Sequence, residues 1–238
     1  MGGQQMTRRM SKGKCNLCDG TFSKAAMTKH LGCCKRREVS ETPLGDRRWR
    51  KTKILHLVVE GRNLPGYWMH IEAPVNATLE DLDDFLRDTW VECCGHMSAF
   101  TIQERRYTTG SGIDAMWIDF FGLDAERDMD VALGEVLVPG TKFRHEYDFG
   151  TTTDLTLRVI SEREGKIKGK PIKVLARNDP PSIPGGLCGK IATKVCVECV
   201  WSGEGWLCDR CARKHECGEE MLLPVANSPR VGMCGYTG

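Results

Sequence analysis

The chain has 238 residues, 40% of them hydrophobic and 28% charged. That balance excludes an unstructured polyelectrolyte and suits one or two globular domains. No run approaches the roughly 18 to 20 consecutive apolar residues of a membrane helix, and Met1–Met6 lacks the apolar centre of a secretory leader. The expectation is a cytoplasmic protein without a membrane partner. The net charge of +2 conceals a polarised chain. Residues 1–53 carry 14 Lys/Arg against 4 Asp/Glu (+10), residues 54–164 carry 9 against 21 (−12), and residues 165–238 carry 11 against 7 (+4). A basic arm beside an acidic centre either meets phosphates or folds back on its own neighbour.

In chain order, the first chemical signal is Cys15-x2-Cys18, followed by Phe22, Met27, His30 and Cys34. The pattern is that of a Cys-Cys-His-Cys zinc finger. A two-thiolate knuckle leads into a helix on which His30 and Cys34, four apart, share a face. Phe22 and Met27 supply its miniature core. Cys33 competes with Cys34 for the metal, and the eleven residues between Cys18 and His30 are one short of the commonest spacing. The helix would present Ser23, Lys24, Thr28 and Lys29, flanked by Arg8, Arg9, Lys12, Lys14, Lys35, Arg36 and Arg37. This dressing suits phosphate contact more than base reading. Segment 1–37 is therefore read as a basic arm with a finger, and 38–53 as a linker broken by Pro43 and Gly45.

Segment 54–164 reads as an α+β domain. Ile54–Glu60 and Tyr67–Ala73 predict a hairpin. Asn76-Ala77-Thr78 then caps a helix whose apolar stripe is Leu79, Leu82, Phe85, Leu86 and Trp90. Ala99–Tyr107, Met116–Phe121, Lys142–Phe149 and Asp154–Ser161 predict further strands, with a helical turn at Asp128–Leu133. A helix across one face of a mixed sheet gives a β-grasp-like expectation. Segment 165–186 reads as a linker, ending in the breaker-rich Asn178–Gly186.

The C-terminal segment, 187–238, holds the strongest spacing in the chain. Cys196-x2-Cys199 is followed after eight residues by Cys208-x2-Cys211. Two such turns supply a four-thiolate tetrahedron, which fits zinc. Ile191, Trp201, Trp206 and Leu207 are too few to fold so short a segment alone, so the metal would be folding energy. His215, Cys217 and Cys234 are available for a second, interleaved site, or Cys217 for one place in the first. With one site at each end, the expectation is two Zn²⁺ per chain. Cys93, Cys94 and Cys188 read as isolated thiols.

Several of these stretches resemble the plasmid pRiA4b ORF-3-like family. The carriers are Trp68-Met-His-Ile71, Thr78-Leu79, Asp84-Phe85-Leu86, Trp90, Gly95–Phe100 (GHMSAF) and Tyr147-Asp148-Phe149-Gly150. In the tail they are Leu223-Pro224-Val225, Asn227-Ser228-Pro229-Arg230 and Cys234–Gly238. The resemblance implies an α+β fold and a mobile-element or plasmid passenger protein of no settled activity. The sequence departs from the family where Thr151–Asp154 replaces the Trp and His that follow YDFG.

His96 reads as a structural histidine, and Asp148 and Asp154 with His96 or His145 as the one conceivable hydrolytic set. No Gly-rich phosphate loop, nucleophile elbow or metalloprotease helix is present. The functional expectation is a non-enzymatic zinc-binding adaptor touching nucleic acid or a nucleic-acid-associated protein. The alternatives are a protein-interaction module with structural zinc sites, and an enzyme acting through the central domain.

Overall fold

The structure, a computed structural model, describes residues 11–39, 50–109, 127–167 and 172–238. The expected strand Met116–Phe121, Arg8 and Arg9, and most of the 38–53 linker lie outside the described residues. The fold is α+β and mostly sheet. Strands β1 (Lys12–Cys15), β2 (Thr21–Ser23), β3 (Arg50–Gly61), β4 (Leu64–Pro74), β5 (Ser98–Ile102), β6 (Arg105–Thr108), β7 (Arg127–Asp128), β8 (Lys142–Tyr147), β9 (Thr153–Ile167) and β10 (Lys173–Asn178) form one sheet. Its order is β2-β1-β10-β4-β3-β9-β8-β5-β6-β7. The pairing is antiparallel except between β6 and β7, including the long β3–β9 ladder. This order does not confirm the β-grasp-like arrangement expected from the sequence.

The predicted hairpin is β3–β4, and the predicted helix begins as α3 (Leu79–Leu86), after α1 (Lys24–Leu31) and α2 (Lys35–Val39). Thr78 and Asp81 form a reciprocal capping box, which satisfies backbone donors at the α3 start. The helix then widens into a single π turn, Arg87–Val91, that delivers Trp90 to the core. Ala99–Tyr107 is not one strand: the chain reverses at Gln103 and Glu104, both at positive φ, to make β5 and β6. The helical turn expected at Asp128–Leu133 lies farther on, as α4 (Leu133–Val136).

β4 is buried on both faces, and its period of two sorts the residues. Tyr67, Met69, Ile71 and Ala73 join Leu55, Leu57 and Val59 of β3 and the α3 stripe in the main core. Trp68 packs on the opposite side in a second cluster with Cys15, Met27, Leu31, Cys34, Leu175 and Ala176. The finger is thus a cover for the second face of the sheet. β10, inside the stretch expected as a linker, joins them by pairing with both β1 and β4. The approach is close enough that a Cβ at Gly13 would stand 2.2 Å from the Arg177 carbonyl oxygen and 2.7 Å from the Trp68 ring, so only glycine fits there.

Charge follows the same geometry. Arg37 of α2 is buried and pairs with Glu72 at 2.6 Å, which Arg163 also reaches at 2.8 Å. Lys24 of α1 pairs with Glu60. Part of the basic arm therefore folds back on the acidic centre.

The tail forms a separate three-stranded sheet, in the order β12-β11-β13, from β11 (Lys194–Cys196), β12 (Trp206–Leu207) and β13 (Leu222–Pro224), with the short α5 (Asp209–Ala212) following β12. Val195, Val231 and the partly buried Val200, Trp206 and Leu223 pack it against the main core. Among the described residues no helix is long and apolar enough to cross a membrane.

Candidate metal centres

Four groups of Cys and His bring their donor atoms within 4.8 Å of one another among the described residues. The first is Cys15, Cys18, His30 and Cys34. Cys15 ends β1, and its carbonyl accepts from the Asp19 N–H at 2.9 Å, closing the knuckle with Asp19 at positive φ. Ser23 caps α1, whose inner face carries His30 and the buried Met27 and Leu31. Cys18 Sγ lies 3.3 Å from His30 Nε2, and Phe22 stacks on the His30 ring with centroids 4.2 Å apart. Cys34 turns inward, whereas Cys33 is exposed with its thiol on the α1 carbonyls. Of the two neighbouring cysteines, Cys34 is the one that lies with Cys15, Cys18 and His30.

The C-terminal cysteines sort differently from the expectation. Cys196 and Cys199 gather with His215 and Cys217, while Cys208 and Cys211 gather with Cys188. The single Cys196-Cys199-Cys208-Cys211 tetrahedron is not formed. The reason is the strand pairing: β11 pairs with β12 and β13 on its two sides, so the two Cys-x2-Cys turns open toward different donors. Cys199 Sγ lies 3.5 Å from Cys217 Sγ, and Cys188 Sγ 3.6 Å from Cys208 Sγ.

The fourth group, Cys93, Cys94, His96 and Cys234, joins the end of the π turn to the C-terminal tail. Cys234 was expected, if anywhere, beside His215 and Cys217, and His96 as a structural residue. The sequence signal for this group was present: three donors within four positions, Cys93-Cys94-x-His96.

Zinc–sulfur bonds near 2.3 Å imply sulfur–sulfur edges of about 3.8 Å in a tetrahedron, and the observed separations suit that size. All thirteen cysteines are free thiols. His215 Nε2 is buried without a hydrogen-bond partner. Electrostatics adds a further fit. The thiol of Cys217 pushes Cys199 up to about 12, and Cys188 pushes Cys211 up to about 11. Burial opposes ionisation of Cys196, yet the N–H groups of Cys199 and Glu198 and the His215 ring bring it down to about 7. Backbone N–H of Cys211 and neighbouring thiols likewise hold Cys208 near 7. Crowded thiolates repel, and a divalent cation among them removes that penalty.

The hydrolytic set is brought together only in part: His96 Nε2 lies 3.6 Å from Asp148 Oδ2, while His145 and Asp154 are engaged elsewhere. His145 is fully buried against Asp83 at 2.6 Å, where Ser98 also donates at 2.7 Å. Asp154 pairs with Arg144 at 2.6 Å, and Asp148 pairs with Arg230 at 2.7 Å.

No family model matches the chain, and no curated protein matches it. Among solved structures, the chain aligns in part with the protein of unknown function MM3350 from Methanosarcina mazei Go1. It is 16% identical, covers 52% of this chain and 68% of its own, and superposes with a TM-score of 0.42.

Proposed function

We propose that the protein is a non-enzymatic, zinc-stabilised adaptor whose partner is a nucleic acid, held through phosphates. The observation that carries the zinc part is the convergence of donors at the finger and at the two interleaved C-terminal groups. Cys15, Cys18, His30 and Cys34 make a closed site, as do Cys196, Cys199, His215 and Cys217. Cys188, Cys208 and Cys211 make a three-thiolate site. The two four-donor sites are of the closed kind that stabilises folds and leaves no position for substrate. A reducing compartment keeps such thiols competent for metal. Kinship with the pRiA4b ORF-3-like, mobile-element family is part of this reading and rests on the sequence motifs alone.

The phosphate part rests on Lys12, Lys29, Lys35 and Arg36, which are exposed on the finger side, whereas Lys24 and Arg37 are engaged with the sheet. The outer face of α1 offers Ala25 and Ala26 beside Lys29, a surface without the bidentate donors that read bases. Binding to random-sequence DNA or RNA should therefore be sequence-tolerant. Four phosphate contacts give a log K against log salt slope of about −3 to −4 for duplex DNA. Absence of binding at low salt, with zinc-replete protein, overturns the nucleic-acid reading.

A second reading, a protein partner, is favoured by apolar side chains left outside on the C-terminal module. Trp201 is 70% exposed and Ile191 62%, so two of the few large apolar side chains of the segment face outward. Partners retained after nuclease treatment and released by Trp201→Ala would support it.

A further inference from the structure

Cys93, Cys94 and His96 of the central domain and Cys234 of the C-terminal segment form a group apart from the donor groups of the two terminal modules, and the chain around them is built to hold their positions. Cys94 Sγ stands 3.0 Å from His96 Nε2, 3.5 Å from Cys234 Sγ and 3.6 Å from Cys93 Sγ. Cys234 Sγ stands 3.8 Å from His96 Nε2. The turn carrying the first three donors is fixed from below. The Tyr147 hydroxyl accepts the N–H groups of Cys93 and His96, both at 3.3 Å, and donates to Glu92 at 2.8 Å. Glu92 accepts the Gly95 N–H at 2.6 Å, and Gly95 takes the positive φ that the reversal requires.

The tail brings the fourth donor by an equally specific route. Ser228 donates to the Trp90 carbonyl, and the Trp90 indole donates to the Asn227 carbonyl at 2.9 Å. Arg230, fully buried, has five N–H donors and makes five hydrogen bonds to four acceptor atoms. Nη1 reaches the Thr151 carbonyl and Thr153 Oγ1, and Nη2 reaches Asp148 Oδ2. The remaining two, from Nε and Nη2, fall on Cys93 Sγ at 3.4 and 3.3 Å. A guanidinium that gives two donors to one sulfur is arranged for a thiolate.

We infer that Cys93, Cys94, His96 and Cys234 form a further zinc site, which clasps the C-terminal tail to the central domain. Three thiolates and one imidazole saturate a tetrahedral Zn²⁺ and leave the cluster with one net negative charge. Arg230 faces that charge through Cys93, as an outer partner that orients a ligand and holds it ionised. Binding exchanges up to three thiol protons for the metal, with no change of oxidation state. The residues the tail contributes, Ser228, Arg230 and Cys234, then act together: the first two place the C-terminal segment and the third closes the site.

The test uses the full zinc-loaded chain and site-resolved alkylation read by mass spectrometry. Cys33 is exposed and outside every donor group, so it reports the rate of an unprotected thiol. Cys94 and Cys234 are also exposed, yet as zinc ligands they should react at least about tenfold more slowly than Cys33, and should reach its rate after chelation. Equal rates in the zinc-loaded protein overturn the site. So does protection that a reductant removes without a chelator, because that identifies a Cys94–Cys234 disulfide. In parallel, Cys234→Ser should lower bound zinc by one per chain in native mass spectrometry. Unchanged zinc in that variant also overturns the site, whereas protection at Cys15, Cys196 and Cys208 reports separately on the other groups.

Discussion

The two terminal modules use similar donors on different foundations. The finger sits on a broad face of the ten-stranded sheet: β1 continues the ladder through β10, and Met27, Leu31 and Trp68 form an apolar cluster beneath it. The C-terminal module has a sheet of three short strands, outward-facing Trp201 and Ile191, and two interleaved donor groups in place of a core of its own. Where apolar burial is available, a metal adds to a fold that has other support. Where it is scarce, the metal is most of the folding energy.

The largest expected effect breaks the comparison if it is absent. Cys196→Ser should remove one zinc and abolish amide-exchange protection across β11–β13, because binding of this kind is worth on the order of 10 kcal/mol. His30→Ala should also remove one zinc, but protection should be lost at α1 and the knuckle while β3, β4 and β10 keep theirs. Equal spread of damage from both substitutions would show that the finger is no better founded than the tail.

Much of this contrast was legible in the sequence, and the exceptions have physical causes. The finger follows from local spacing, since a knuckle and a helix face are set by neighbours in the chain. The hairpin β3–β4, the Thr78 cap and strand β9 are equally local signals of alternation and capping. The partition of Cys196, Cys199, Cys208 and Cys211 is not local. It depends on which strand pairs with which, and spacing alone cannot distinguish one shared tetrahedron from two interleaved groups. Cys234 is harder still, lying 140 positions from its neighbour Cys94. The two-sided burial of β4 hid behind its polar residues: Glu72 reads as solvent-facing until Arg37 arrives from α2.

The next prediction sharpens the account of the finger as a cover. Glu72 receives Arg37 and Arg163 in a partly desolvated setting. Glu72→Ala removes the carboxylate that neutralises Arg37, whose side chain is nearly buried, and should cost about 3 to 5 kcal/mol in denaturant unfolding of the zinc-loaded protein. Met27→Ala, which opens a cavity in the cluster under the finger, should cost about 2 to 5 kcal/mol. Losses under about 1 kcal/mol in both would mean that the finger does not share a cooperative unit with the sheet.

The smallest effect is also the most specific to that interface. His56 and His70 lie on adjacent strands beneath the finger, with Nε2 of one 3.0 Å from Nδ1 of the other and Trp68 edge-on to His70. Burial holds His56 down to about 3 and His70 down to about 4, helped by the nearby cations Arg37 and, for His70, Lys24. Both are therefore neutral in the native protein at neutral pH. Between about pH 6.5 and pH 4 the unfolded chain takes up protons that these rings refuse, so the pair's contribution to stability falls as pH falls through that window. The slope is at most about 1.4 kcal/mol per pH unit for each ring. In NMR of the zinc-loaded protein, the ring signals of His56 and His70 should show no titration above about pH 5. A midpoint near 6.5 would contradict their burial. The His30→Ala variant gives the discriminating case. If the zinc-bound finger shields the pair, its loss admits water to His70 and moves that midpoint up toward 6.5, whereas Cys196→Ser leaves it in place. Movement in both variants would tie the two modules into one cooperative unit, and movement in neither would assign the shielding to β10 and Trp68 alone.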